Sequence, residues 1–149
     1  MNAAERFDHW ATVRAGLLEA LALLSDEQLD FVPAERLWSL GKVARHIAEA
    51  EEGWFRYVVL GELAAWPEFR DEDTPTVAEV RSLLNRVHER TERYLETLAE
   101  EELAQAVHTP WGTDLSLRWI VWHVLEHEIH HRGEIFLMLG LMGMVAPEI

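Results

Sequence analysis

Four of the eight histidines of this chain fall within nine residues: His123, His127, His130 and His131. The surrounding segment has the apolar periodicity of a helix. Side chains four residues apart lie on the same face of a helix, so His127 and His131 are predicted to project together. Neutral imidazole is among the commonest metal ligands. The pair therefore predicts one side of a metal site.

Helical phase separates this pair from its neighbours. Relative to His127, His131 lies about 40° to one side and Glu134 about 20° to the other. Met138 is apolar and points in nearly the same direction as His127. This places the pair on the core-facing side of the helix. Polar rings at such positions cost free energy unless they are paired. His123 lies about 40° away from His127 on the far side, where it could be a fourth ligand or line a pocket.

Two ligands do not hold a metal ion tightly, and a catalytic site commonly offers three protein ligands and one open position. The third ligand should come from another helix that faces the pair. His46 is the best candidate, because it flanks Val43 and Ala50 at the border of an apolar stripe. The remaining histidines are expected at the surface, on a solvated helix face or in a loop: His9, His88, His108 and His130.

The same segment also matches the pattern H-E-x-x-H, in which two histidines bind zinc and a glutamate activates water. Here Glu128 would be that glutamate. Metalloproteases of this kind need a third ligand downstream and substrate-binding strands, and neither is evident. The acids that follow His131 are only Glu134 and Glu148. A protease is therefore the weaker alternative.

Periodic apolar residues predict four helices and an all-α fold, a four-helix bundle with long inter-helix loops. Thr76 and Glu79 form a capping-box pattern at the start of the third helix, and Ser116 is expected to cap the fourth. No segment alternates with period two for long, so no strand is predicted. Loops of about fifteen residues allow topologies other than simple up-down-up-down. The predicted helices run approximately over Ala4–Leu24, Ser39–Leu60, Thr76–Leu98 and Ser116–Leu139.

Length and composition indicate one domain over residues 1–149. The chain has 13 Lys and Arg against 27 Asp and Glu, a net charge of −14, which disfavours nucleic acid and anionic membranes as partners. Its longest apolar stretch, Ile135 to Val145, is far shorter than the roughly 20 residues of a spanning helix. Cysteine is absent, and the first residues lack the apolar core of a signal peptide. We expect a soluble, cytoplasmic protein.

Two stretches resemble the DinB/YfiT-like family of metal-binding four-helix bundles. One is WSLGKVARHIAEAE, from Trp38 to Glu51, and the other is LRWIVWHVLEHEIHHRGEI, from Leu117 to Ile135. The most specific part is His127-x3-His131 followed by Arg132 and Gly133. Helix number, helix length and loop placement agree over essentially the whole chain.

The resemblance implies that His46, His127 and His131 bind a divalent metal ion, usually zinc or nickel, and that the chain forms a homodimer. It also implies a metal-dependent hydrolase or a transferase of low-molecular-weight thiols, acting on a small-molecule substrate. Such a thiol would come from outside the chain, which has no cysteine. Glu134 lies near His127 and His131 in helical phase, where it could act as a general base, orient a ligand ring or pair with an arginine. Its position is often glutamine in the family. The alternative is a non-catalytic metal-binding bundle associated with stress.

Overall fold

The structure is a computed structural model that describes residues 1–149. It contains five helices and three short 3-10 turns, the turns spanning Asp26–Asp30, Asp71–Asp73 and Glu100–Ala104. Helix α3 continues without interruption into a π-helical segment, Gly53–Val59. None of the helices combines the length and the apolar character that are needed to span a bilayer. The helices are α1 (Ala3–Arg6), α2 (His9–Ala22), α3 (Leu40–Glu52), α4 (Val77–Glu96) and α5 (Leu117–Leu141).

Helices α2 to α5 form the four-helix bundle that the sequence predicts. The predicted caps are present: Thr76 Oγ1 accepts a hydrogen bond from the Glu79 amide, and Ser116 Oγ accepts one from the Trp119 amide. Helix α3 packs mainly against α4 and α5, and α2 packs against the same two helices. The successive helices α2 and α3 therefore lie diagonally across the bundle. This departs from a simple up-down-up-down order and places α3 directly against α5.

The N-terminal helix is divided in two, contrary to the single predicted helix. Helix α1 ends at Arg6, and α2 begins at His9. Phe7 lies at the break, where its ring is buried and makes an edge contact with Trp122 at 5.2 Å between ring centroids. The capping box of Asn2 and Glu5 caps the start of α1. The burial of Phe7 accompanies the interruption.

The prediction that the chain contains no strand is wrong for the segment before α5. Strands β1 (Ala106–His108) and β2 (Asp114–Ser116) pair antiparallel as a hairpin. Each strand has three residues, which are too few to show the alternation of apolar and polar residues that identifies a strand in a sequence. The turn between them is held by Thr109, whose hydroxyl donates to the Thr113 carbonyl, and contains Gly112 at φ +89°, a conformation that favours glycine.

A layer of buried charge divides the apolar core into two clusters. Each bundle helix contributes one member: Arg14 from α2, Glu51 from α3, His88 from α4 and Glu128 from α5. The Arg14 guanidinium donates to Glu51 Oε2 at 2.6 Å and to Glu128 Oε1 at 2.7 Å. Trp10 Nε1 donates to Glu128 Oε2 at 2.6 Å, and His88 Nδ1 lies 2.9 Å from Glu51 Oε1. All four helices are thus joined by one polar network.

The electrostatics of this layer favour the ion pairs. Burial alone would raise the pKa of Glu51, but the charge of Arg14 and the hydrogen bond with His88 lower it to about 2. Burial alone would lower the pKa of Arg14, but the charges of Glu128 and Glu51 together outweigh it and raise this pKa. Both partners are therefore charged at neutral pH.

His88 does not lie on a solvated helix face, as its charged sequence neighbours suggested. Its ring is buried, and it follows Leu84 by four residues and precedes Thr91 by three. Both of these residues are buried as well, so His88 belongs to the core-facing stripe of α4. The charged neighbours Glu89 and Arg86 turn outward from the same helix.

Candidate metal centre

The three histidines predicted as a site lie together between α3 and α5. His46 of α3 faces His127 and His131 of α5, and one ring nitrogen from each lies within 4.8 Å of the other two. The Nε2 atoms of His46 and His127 are 2.9 Å apart. The ring centroid of His131 is 4.9 Å from that of His46 and 4.4 Å from that of His127. Two helices that are distant in sequence thus present three imidazoles to one point.

Two of these rings, those of His131 and His46, each have a carboxylate on the Nδ1 side. Glu134 Oε2 accepts a hydrogen bond from His131 Nδ1 at 2.9 Å, and Glu49 Oε2 lies 3.6 Å from His46 Nδ1. Glu49 is itself held by the Phe69 amide, which donates to Oε1 at 2.8 Å. A carboxylate on Nδ1 fixes the orientation of a ring and leaves Nε2 available as a ligand.

Glu49 was not among the predicted site residues, although a signal for it exists in the sequence. It follows His46 by three residues, the same spacing that separates Glu134 from His131. On a helix this spacing places a carboxylate beside a ring. His127 has His130 at the corresponding position, and its buried Nδ1 has no hydrogen-bond partner.

The rings of the α5 pair are neutral at neutral pH. Burial lowers the pKa of His127 most, the imidazoles of His131 and His46 lower it further, and the result is about 3. Burial also lowers the pKa of His131, while its hydrogen bond with Glu134 acts in the opposite direction. A neutral imidazole can donate its lone pair to a metal ion without first losing a proton.

The donor set fits a divalent metal ion of the kind the resemblance implies. Imidazole nitrogen suits zinc and nickel, and three protein ligands leave a position open. The unpaired Nδ1 of His127 shows that hydrogen bonds within the protein do not satisfy this ring on their own.

The neighbouring histidines lie outside this trio. His123 stacks on Trp119, with centroids 4.7 Å apart and planes 10° apart, and its edge contacts Trp54. His123 is thus packed between aromatic rings, and it belongs neither to the group of three histidines nor to the lining of the two cavities beside them. His130 is exposed, and its Nε2 lies 3.1 Å from Glu134 Oε1. As expected, two further histidines are exposed, His9 and His108.

Glu128 cannot serve as the glutamate of an H-E-x-x-H protease site. Adjacent residues on a helix point about 100° apart, and Glu128 turns into the core while His127 faces α3. Its carboxylate is 1% exposed and is bound by Arg14 and Trp10. A carboxylate engaged in this way does not activate water beside the histidines, so the protease interpretation is wrong.

Comparison with known proteins places this architecture in a family. The family model described as "DinB family" matches residues 1–149. The chain belongs to the DinB family. This confirms the resemblance carried by the two helical stretches around His46 and His127.

Two relatives come from Bacillus subtilis (strain 168). "Uncharacterized protein YjoA" is 25% identical over 137 residues, which cover 91% of this chain and 87% of the relative. "Putative metal-dependent hydrolase YfiT" is 24% identical over 156 aligned positions, with the same coverage of 91% and 87%.

Solved structures of similar proteins share the fold. A DinB-like protein from Bacillus cereus ATCC 10987 superposes with a TM-score of 0.80 at 19% identity, covering 96% of this chain and 94% of that one. The crystal structure of YjoA from Bacillus subtilis gives a TM-score of 0.75 at 23% identity, with coverage of 95% and 94%. At these identities the likeness establishes the bundle architecture alone.

Two cavities flank the trio in this DinB-family chain, and Trp38 lines both. One cavity, of about 430 Å³, is polar and includes Lys42, His46 and Glu49. The other, of about 500 Å³, is mainly apolar and includes His131 and Glu134. The Trp38 ring lies 4.9 Å from the His46 ring. The histidine centre is therefore accessible from two sides of different character.

Proposed function

We propose that this protein binds a divalent metal ion, zinc or nickel, through His46, His127 and His131. We further propose that it acts on a small molecule as a metal-dependent hydrolase or as a transferase of low-molecular-weight thiols. The observation that carries the proposal is the convergence of three imidazoles from α3 and α5, with ring nitrogens within 4.8 Å of one another. The name of the relative YfiT, a "Putative metal-dependent hydrolase", supports the same class of activity. A homodimer, a cytoplasmic location and a single domain over residues 1–149 stay predictions.

When bound, a divalent ion supplies a Lewis acid that polarises a substrate and lowers the pKa of water or a thiol. The residues of the chain hold and orient it. Glu49 and Glu134 stand at the Nδ1 side of His46 and His131, so both rings offer Nε2. His127 is held neutral by burial, which keeps its lone pair available near neutral pH.

One substitution separates the two roles proposed for Glu134. Its carboxylate orients His131 and, as the sequence predicts, could also accept a proton from the attacking group. Glu134→Gln keeps an acceptor for His131 Nδ1 but removes the base. If Glu134 is the base, the variant should retain its metal and lose turnover by about 10²–10⁴-fold. If metal affinity instead falls about 10–100-fold and turnover follows it, Glu134 only positions the ring.

The metal is tested with protein that carries no histidine tag. We expect about one equivalent of divalent metal per chain by elemental analysis, and loss of most of it in His46→Ala, His127→Ala and His131→Ala. His9→Ala is the matched control, because His9 is exposed and outside the trio. Wild-type protein without stoichiometric metal after zinc or nickel loading would overturn the proposal, as would unchanged metal in His127→Ala.

Turnover is assayed on esters and amides, and on electrophiles offered with glutathione-, bacillithiol- or mycothiol-type thiols. The activity should disappear with chelator and return with metal. Metal retained in the trio with no turnover in any assay would favour the non-catalytic metal-binding bundle.

A further inference from the structure

An apolar groove opens beside His131 on the α5 side of Trp38. Its floor is formed by Val43 and Met138, both of which are buried. Its edges are formed by large apolar side chains that remain exposed, namely Leu37, Trp38, Leu137 and Leu141. Exposed apolar side chains grouped around a concavity mark a binding site more often than scattered ones do.

The groove is continuous with the histidine centre. His131 and Glu134 belong to its lining, and they also form the hydrogen-bonded pair at the centre. Its volume of about 500 Å³ lies within the range of roughly 300–1,000 Å³ that small-molecule sites occupy. A concave, mainly apolar site with a few polar groups in its lining fits a small molecule better than the flat contact of a protein partner.

The lining of the groove carries two oppositely charged side chains, Arg36 and Glu134. The Glu134 carboxylate accepts a hydrogen bond from His131 Nδ1 at 2.9 Å and lies 3.1 Å from His130 Nε2. Arg36 is exposed and forms no ion pair with a carboxylate of the chain, so its guanidinium is the charged group of the lining that stays available to a ligand. Arg36 also has φ +69°, a backbone conformation that is uncommon outside glycine.

The cavity on the other side of Trp38 is more acidic than the groove. Its lining includes four carboxylates, Glu49, Glu68, Asp71 and Glu72, against two basic side chains. An anionic group would be repelled there and attracted to Arg36. The two cavities therefore differ in which end of a substrate they can accept.

We propose that the substrate is an amphiphilic monoanion whose alkyl or aryl body lies in the apolar groove and whose anionic group pairs with Arg36. The bond that reacts then lies at the end of the groove beside His131 and Glu134. This assignment of substrate class rests on the function proposed above for the same histidine centre.

The test measures binding of octanoate by calorimetry to zinc-loaded and to chelator-treated protein. Octylammonium and octan-1-ol share its chain length, and acetate lacks the tail. We expect octanoate to bind at least tenfold more tightly than octylammonium or acetate. Leu137→Glu should weaken octanoate at least tenfold, because it places a carboxylate on the groove edge. Leu23→Glu is the matched control, since Leu23 is also an exposed leucine but lies outside the groove.

Arg36→Ala tests the anionic end separately. It should weaken octanoate and leave octan-1-ol unchanged, while Arg93→Ala, at an exposed arginine away from the groove, should change neither. Octanoate binding that is unaltered in Leu137→Glu would overturn the proposal, and so would a preference for octylammonium. A shift of molar mass in Leu137→Glu, with octanoate affinity unchanged, would assign the groove instead to contact between copies of the chain.

Metal content keeps the two proposals distinguishable. Full zinc occupancy without octanoate binding would refute the substrate class and leave the metal centre standing. Octanoate binding that responds to Leu137→Glu in a protein that takes up no zinc would refute the metal centre and leave the groove standing.

Discussion

Replacing Arg14 by methionine removes the guanidinium that pairs with two buried carboxylates. Arg14 is 3% exposed, and its partners Glu51 and Glu128 are each 1% exposed. Methionine fills much of the same volume without charge. The variant would therefore leave Glu51 and Glu128 inside the bundle with His88 and Trp10 as their remaining polar partners.

The expected loss follows from the burial of the ion pair. Breaking a buried ion pair by removing one partner costs about 3–5 kcal/mol. The pKa of Glu51 agrees with a loss in direction, because Arg14 and His88 lower it against the effect of burial. For a chain of this length, a loss of 3–5 kcal/mol lowers the melting temperature by roughly 10–16 °C.

The pH dependence supplies the more specific test. In the wild type the pKa of Glu51 is lowered by folding, so its contribution is full above pH 4.5 and is lost as pH falls towards 2. Without Arg14, burial is the dominant influence and raises this pKa. The variant should then gain stability relative to the wild type as pH falls below neutral.

Urea unfolding followed by circular dichroism from pH 4 to 8 measures both quantities. Arg93→Met is the control, because the pair of Arg93 with Glu89 is exposed and 3.8 Å long, and should change stability by less than about 0.5 kcal/mol. A loss below about 1 kcal/mol in Arg14→Met, or a deficit that does not shrink at lower pH, would refute this account of the charged layer.

Three further perturbations follow from local contacts. Thr76→Ala removes the cap that pairs with Glu79 and should cost about 1 kcal/mol in urea unfolding; an unchanged midpoint would contradict this. Folding lowers the pKa of His127 from 6.5 to about 3, so the unfolded chain binds more protons than the folded chain between these two pH values. The free energy of unfolding of metal-free protein should therefore rise with pH across this window, by less than about 1 kcal/mol per pH unit. His127→Gln should lose this pH dependence. Arg45→Met removes the buried hydrogen bonds to the Thr74 hydroxyl and carbonyl, so amide exchange around residues 71–74 should accelerate at least tenfold, and equal exchange would count against the anchoring role.

The helices and the histidine trio were predictable because they depend on periodicity. Apolar residues every three to four positions define the core side of each helix, and the cap at Thr76 sets the start of α4 within one residue. The same phase places His127 and His131 side by side. His46 followed from the need for a third ligand on a facing helix, and its position at the border of an apolar stripe pointed towards that partner.

Features that depend on partners distant in the sequence were not predictable in the same way. The sequence around Glu128 allows it to be a catalytic base. The contact that excludes this role is its ion pair with Arg14, which lies on another helix. His88 resembles a surface residue because its neighbours are charged, and its burial depends on Glu51 of α3. The diagonal placement of α2 and α3 is a property of the connections and has no local pattern.

The charged layer and the histidine trio use different faces of the same two helices. On α5, Glu128 points about 100° from His127, and on α3, Glu51 points about 140° from His46. Arg14 binds both of these carboxylates, so it joins α3 and α5 at positions only one to five residues from the histidines. Ion pairs of this kind contribute little net stability compared with an apolar core, but their directional hydrogen bonds restrict how the helices can rotate. We therefore expect the buried charge in this bundle to hold the two helices at the rotation that brings His46 against His127 and His131.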